Sequence, residues 1–427
     1  MPAKPLPALV TFLALSLLFF LVSAGTFSSL GVVLPAMVAE LKWNWTQAGL
    51  GYTLLGVACG LSSFAPAVTI RKFGVRSTIA GGALLLLAGF TGLAMTRSIG
   101  LYLASEVLIG IGFSLTTTVP AVHVLTALFK RRSTVLGAYF TIGGLGQVAG
   151  PLLYVGIDVT LHQWRAYWWA FSAAAIVLGV FGAVATSGAR EAVDPTSDEP
   201  PEQVGPGALI EGLNDWTVRR AVMTPQFYVI VGAYTMYLLV NTTAHGFAVE
   251  HLTERGVSAK VAAGMLSLEA LIGAGIAVVG GMLGEKVSPK TLMLIALAAL
   301  VVGMTSLAYA SGYGLMLVYA VGVGVGYGLS FLASTMLLLN YFGKKANLEL
   351  YSVMCLISTS AALGPAVGGW ARDTVGSFSG VFLLCSAATL AMLGATAVIT
   401  PPKIALPSRR SAAPAPAPGA GAAHDPV

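Results

Sequence analysis

The chain has 427 residues, 56% hydrophobic and only 9% charged, far from the roughly 25% charged residues of soluble domains. A mean hydropathy of +0.83 with 51 glycines points to many membrane-spanning helices. Continuous apolar runs exclude a spanning β-barrel, whose strands alternate. The net charge of +6 sits in clusters flanking those runs, which argues against nucleic-acid binding as its purpose.

In chain order the apolar segments fall near 8–36, 47–70, 76–95, 99–128, 134–158 and 165–188, then 226–250, 258–284, 289–310, 314–341, 349–371 and 377–399. Each is long enough for the about 20 residues that cross a bilayer. The first is too long for a signal-peptide core and reads as a span. Between the sixth and seventh, residues 189–225 hold seven of the 17 acids and the prolines Pro195, Pro200 and Pro201. This stretch reads as a solvated linker, with a short amphipathic helix expected from Asp215 to Ala221. The Ala- and Pro-rich stretch 401–427 reads as a disordered tail. The expected units are residues 1–188, the linker 189–225, residues 226–400 and the tail. Cys59, Cys355 and Cys385 lie within apolar runs, and their spacing suggests neither a disulfide nor a zinc site. No metal or cofactor is expected.

Seventeen of the 23 lysines and arginines fall at the ends shared with the termini and linker, and six at the opposite ends. The positive-inside rule then puts both termini and the linker in the cytoplasm, with the chain in the inner (cytoplasmic) membrane. The aromatic group Trp164, Tyr167, Trp168 and Trp169 reads as an outer interfacial belt. Glu250 and His251 are expected at the outer surface, and Asp158 and Asp373 as caps or bridges of outer loops.

The two halves repeat. Gly110-x-Gly112 recurs as Gly324-x-Gly326, Gly150-Pro151 as Gly364-Pro365, Arg71-Lys72 as Glu285-Lys286 and Arg76 as Lys290, every pair offset by 214 residues. Six spans separate equivalents, so the halves run parallel. The fold class is an all-α polytopic membrane protein of 12 transmembrane helices in two pseudo-symmetric six-helix halves, with a site between them near the midplane.

Gly137-x8-Gly146-x3-Gly150-Pro151 in the fifth span resembles the helix 5 signature of the major facilitator superfamily, although its trailing Gly-Gly is Leu153-Tyr154 here. Gly364-Pro365 opens the second copy, which keeps Gly368-Gly369. Gly281-x-Leu283-x-Glu285-Lys286 is similar to the family's loop motif, whereas Arg71 stands where its partner loop has an aspartate. The resemblance implies the major facilitator fold and gating roles for Gly137, Gly146, Gly150, Pro151, Gly364, Pro365, Gly281, Glu285 and Lys286. A finer resemblance, to the monocarboxylate and oxalate/formate transporter branch, rests on Gly31 to Pro35 with Glu40 to Trp43, Phe129 to Arg132, Arg219 to Phe227 and Glu254 to Ser258. It implies a small organic anion moved with a proton. The branch's substrate-binding arginine in the eighth span is Ala277 here, and no lysine or arginine lies in the middle of any span.

Polar groups inside the spans are the remaining signal, because a charge near the bilayer centre costs about 2.5–3.5 kcal/mol on insertion scales. Glu269 and Glu106 are the candidate proton carriers. For each, a purely structural hydrogen bond is the alternative. His245, Asn241, Tyr327, Tyr237, Ser28 and Thr141 are candidate substrate contacts, although such donors also serve simply to join helices. His123 reads as a gate or interfacial residue. No nucleotide-binding loop is present, so energy must come from a gradient. The expected function is a proton-coupled secondary transporter of a small organic acid by alternating access, working as a monomer and not as an enzyme. Export of amphipathic or cationic compounds is the second reading, and a non-transporting sensor the third.

Overall fold

The computed structural model describes residues 5–129, 131–186, 216–283, 287–343 and 346–402. Glu285 and Lys286, most of the linker and the tail beyond residue 402 lie outside them. The described residues are helical almost throughout, as lipid demands of a backbone that must satisfy its own hydrogen bonds. Among the described residues, eleven helices are long and apolar enough to cross a membrane.

The first span is two helices, α1 (Pro5–Gly25) and α2 (Phe27–Leu41), broken at Thr26 (φ −100°, ψ −113°). After a turn at Lys42, α3 (Trp45–Leu61) begins under a reciprocal cap in which Asn44 and Gln47 each accept the other's backbone N–H. With its 17 residues α3 is too short to cross alone. The end of the second span and the third span fall in α4 (Ala65–Met95), whose helical geometry is broken at Gly74. Gly74 has φ 83° and ψ 164°, a combination essentially restricted to glycine. The fourth span is again broken, into α5 (Ile99–Thr116) and α6 (Thr118–Leu128), at Thr117 with φ −102° and ψ −111°. α7 (Arg132–Leu161) and α8 (Trp164–Ala185) complete the first half.

The expected linker helix is the single turn and a half of α9 (Val218–Val222), capped by Thr217 and preceded by Trp216, whose ring packs edge-on against Phe342 at 5.3 Å. The second half is α10 (Pro225–Glu254), α11 (Ala259–Leu283), α12 (Pro289–Tyr309), α13 (Tyr313–Phe342), α14 (Asn347–Ser358), a 3₁₀ turn over Thr359–Leu363, α15 (Gly364–Val375) and α16 (Ser379–Val398). α14, the turn and α15 together make its fifth span. With the divided second span counted, twelve spans in two halves are present.

Helices approach closely where glycine removes a side chain. Gly303 of α12 and Gly322 of α13 face each other so tightly that a Cβ on Gly303 would come 2.7 Å from the Val323 nitrogen. Two expectations are corrected by burial. Trp164, Tyr167 and Trp168 point into the protein rather than forming a lipid belt, and only Trp169 is exposed. Trp164 donates to Glu40 at 2.6 Å, and Glu40 also pairs with Arg165. His251 is buried rather than at the surface, its Nε2 3.0 Å from the Leu307 carbonyl and its ring edge-on to Phe382.

The halves meet where α2 packs on α10, α3 on α15, and α7 on α11. Asp373 of α15 crosses the seam and accepts from the Trp45 and Thr46 N–H groups (3.0 and 2.7 Å) and the Thr46 hydroxyl (2.6 Å).

Candidate functional site

Apolar neighbours leave a buried polar atom few partners, so the partners found in the seam define the site. Glu269 of α11 is 1% exposed. Its Oε2 accepts a 2.6 Å hydrogen bond from the Tyr319 hydroxyl of α13, and its Oε1 lies 3.9 Å from Nε2 of His245 on α10. His245 Nδ1 is 2.9 Å from the Asn241 backbone carbonyl, one turn earlier. A carbonyl oxygen only accepts, so Nδ1 carries the hydrogen and Nε2 of the neutral ring is a bare acceptor. It has no hydrogen-bond partner. Glu269 Oε1 thus faces a histidine nitrogen that has no hydrogen-bond partner. Closure against the other half is tight here, because a Cβ on Gly31 of α2 would overlap the His245 carbonyl oxygen.

Glu106 of α5 is equally buried, yet its Oε1 has no partner. The nearby hydroxyls are spent elsewhere: Tyr102 donates to the Ala48 carbonyl at 2.9 Å and Tyr52 to the Phe27 carbonyl at 2.6 Å. Tyr52 lies within electrostatic range of both Glu106 and Glu269. Its ring also packs beside Gly246, next to His245. The two acids thus belong to opposite halves with Tyr52 between them.

Other expected contacts divide. Tyr237 and Tyr327 have ring centroids 5.8 Å apart, and the Gln147 side chain of α7 lies near Tyr327 from the other half. The Asn241 side-chain nitrogen is buried and unpartnered, as is the Ser28 hydroxyl. Thr141 is not gathered into the cluster: it is exposed and donates to the Gly137 carbonyl of its own helix at 2.9 Å. His123 is exposed on α6.

The gating residues divide as well. Gly146 and Gly150 lie close to the α1 backbone near Phe20 and Ala24, and a Cβ on Gly364 would come 2.6 Å from both Leu239 and Thr243. Gly137 and Gly281 face open space, so close approach explains neither. α7 runs unbroken through Pro151, whereas its counterpart Pro365 follows the 3₁₀ turn. Glu285 and Lys286 lie outside the described residues. Sequence reasoning missed Tyr319 and Tyr52, which nothing in an apolar run distinguishes from packing aromatics. It also missed the break at Thr26, whose own hydroxyl is buried, caps nothing and has no partner.

Similarity to known proteins agrees with this architecture. The nucleoside transporter NupG covers 92% of this chain and 98% of its own, with a TM-score of 0.72 at 12% identity. The tetrameric PepTSo2 covers 91% and 97%, with a TM-score of 0.68 at 13% identity. No curated protein sequence matches the chain. The family model described as Major Facilitator Superfamily matches residues 15–354. The chain therefore belongs to the Major Facilitator Superfamily and is a multi-pass transporter rather than an enzyme.

Proposed function

We propose that the protein is a proton-coupled secondary active transporter of a small organic acid, working by alternating access with Glu269 as proton carrier. The observation that carries this reading is the placement of Glu269 in the seam, held by Tyr319 and 3.9 Å from a bare histidine nitrogen. A group that only joined helices would not need that nitrogen beside it. Its neighbour His245 lies on α10, whose backbone packs tightly against Gly31 of α2, and this supports coupling of its access to the packing of the halves. The lysine and arginine distribution supports cytoplasmic termini in the inner membrane. The two halves pack on each other within one chain, and we take the working unit to be a monomer.

A carboxylate cargo finds no lysine or arginine in the middle of a span. The start of α2 offers a neutral substitute: the positive end of a helix dipole with the unpartnered Thr26 and Ser28 hydroxyls. An acid carried with its proton is neutral overall and needs no fixed cation. Glu269 must then be protonated as the acid binds, since two anions in low dielectric repel. Proton flux into proteoliposomes, followed with a pH-sensitive dye, tests this. Monocarboxylates should drive proton entry, and Glu269→Gln should abolish it while leaving acid exchange across the membrane. Proton entry that survives in Glu269→Gln would remove Glu269 from the mechanism. The second reading, export of cationic or amphipathic compounds, is favoured by two buried acids without a buried lysine or arginine among the described residues. It predicts silence with acids and proton exit when a lipophilic cation is added.

A further inference from the structure

Five aromatic rings gather on the second half's side of the seam, and neither the proton site nor the gates use them. Tyr234 and Tyr237 of α10 lie 5.6 Å apart and Tyr237 and Tyr327 5.8 Å. Tyr234 and Phe331 are at 6.5 Å and Phe331 and Tyr351 at 6.4 Å. None of these pairs is stacked face to face; their planes cross at 50°, 47°, 53° and 88°. In the first half, by contrast, Phe19 and Tyr139 stack at 4.9 Å and 19°.

Tyr327 and Phe331 are four residues apart and share one face of α13. Tyr327 covers Gly273 of α11 within its own half and lies near the Gln147 side chain of the other half. Phe331 is nevertheless 49% exposed. One turn from Tyr237, the Asn241 amide nitrogen is buried without an acceptor. The cluster thus combines rings with no face-to-face partner among themselves, one large exposed apolar ring and a spare donor. Aromatic pairs prefer offset or edge-on contacts at such separations, and a flat guest ring completes them where a saturated chain does not.

We propose that Tyr234, Tyr237, Tyr327, Phe331 and Tyr351 form a subsite for a conjugated ring, so that the cargo is a ring-bearing organic acid rather than a lactate-sized one. This rests on the organic-acid reading above. The carboxyl group belongs toward α2 and Glu269, and the ring toward α13.

Phenylacetate, the equally sized but saturated cyclohexylacetate, and lactate separate the possibilities. Binding is read as thermal stabilisation of the purified protein, which requires no proton movement, and proton flux is read in vesicles. Phenylacetate should bind about fivefold more tightly than cyclohexylacetate, and lactate should be weakest. Phe331→Leu should reduce that preference to below about twofold, and Phe331→Tyr should keep it. Tyr237→Leu and Tyr237→Phe provide the same comparison should Phe331→Leu fold poorly. Equal binding of phenyl and cyclohexyl acids, or a preference untouched by both leucine variants, overturns the subsite. Ring-selective binding without proton flux upholds the subsite and removes the coupling instead. Proton flux without ring selectivity does the reverse.

Discussion

Glu269 and Glu106 carry the same cost of entering the bilayer, about 2.5–3.5 kcal/mol on insertion scales, but are met differently. Glu269 has a hydroxyl donor and a histidine beside it, while Glu106 has an oxygen with no partner. The cost itself made both acids legible in the sequence, together with His245 and Asn241, because a charged or strongly polar residue in an apolar run stands out. Tyr319 did not stand out, since a tyrosine in such a run has the same pattern whether its hydroxyl serves a carboxyl or a carbonyl. Gly31 was legible only as part of a family-like stretch, and its physical role is contact: a side chain there would collide with backbone, not with a flexible tip. Gly31→Ala should therefore leave the halves folded but unable to close at α2 and α10. Transport should fall at least about tenfold, in keeping with a lost close approach. A thiol introduced at Ser28, 1% exposed in the closed seam, should react with a water-soluble reagent faster in the alanine background. Unchanged transport in Gly31→Ala would mean that this packing is not obligatory for the cycle.

Helix positions were readable because lipid imposes one rule, about 20 apolar residues per crossing, and every expected segment has its helical counterpart. Helix interruptions were not readable. Thr26 and Thr117 adopt nearly the same dihedral angles in the first and fourth spans. The first lies beside Gly25 and the second three residues before Pro120, but glycine and proline are common in membrane helices without breaking them. Such breaks are decided by packing with other helices rather than by local preference. Pro151 lies inside α7 without ending it, as membrane helices allow when neighbours satisfy the freed carbonyl. The aromatic belt failed for a related reason: Tyr167 and Trp168 are flanked by the same apolar residues on the lipid and core faces, so composition alone cannot orient them. At Gly74 the element depends on one backbone geometry. Gly74→Ala should destabilise the protein by about 1–3 kcal/mol, visible as a lower melting temperature in detergent. Gly81→Ala, in the helical part of α4 with nothing within 4 Å of the added Cβ, should have no such effect. Equal melting temperatures for the two variants would show that the turn tolerates a side chain.

For the molecule as a whole, the seam near Glu269 and the seam at Asp373 close together, because α2, α3, α10 and α15 all meet there. The Asp373 carboxylate sits at the positive end of the α3 dipole and satisfies N–H groups that the Asn44 cap leaves free, Asn44 itself serving Gln47. Those three hydrogen bonds exist only while the two halves are closed at this end. Opening trades them for water, so the contact biases the equilibrium without locking it. A capping interaction of this kind contributes about 1 kcal/mol, or about a fivefold shift in population. Asp373→Asn retains an acceptor and loses the charge, and Asp373→Ala loses both. The open population should therefore rise in the order wild type, asparagine, alanine, reaching about fivefold in the last. Spin labels at Thr160 of α7 and Val375 of α15, one on each half and both exposed, would report it as a growing long-distance component in double electron–electron resonance. Because a state opened at this end uncovers the seam above His245, the same variants should also take up protons from that side more readily at low cargo concentration. Identical distance distributions in all three proteins would make the Asp373 contact a passive consequence of closure rather than a contributor to it.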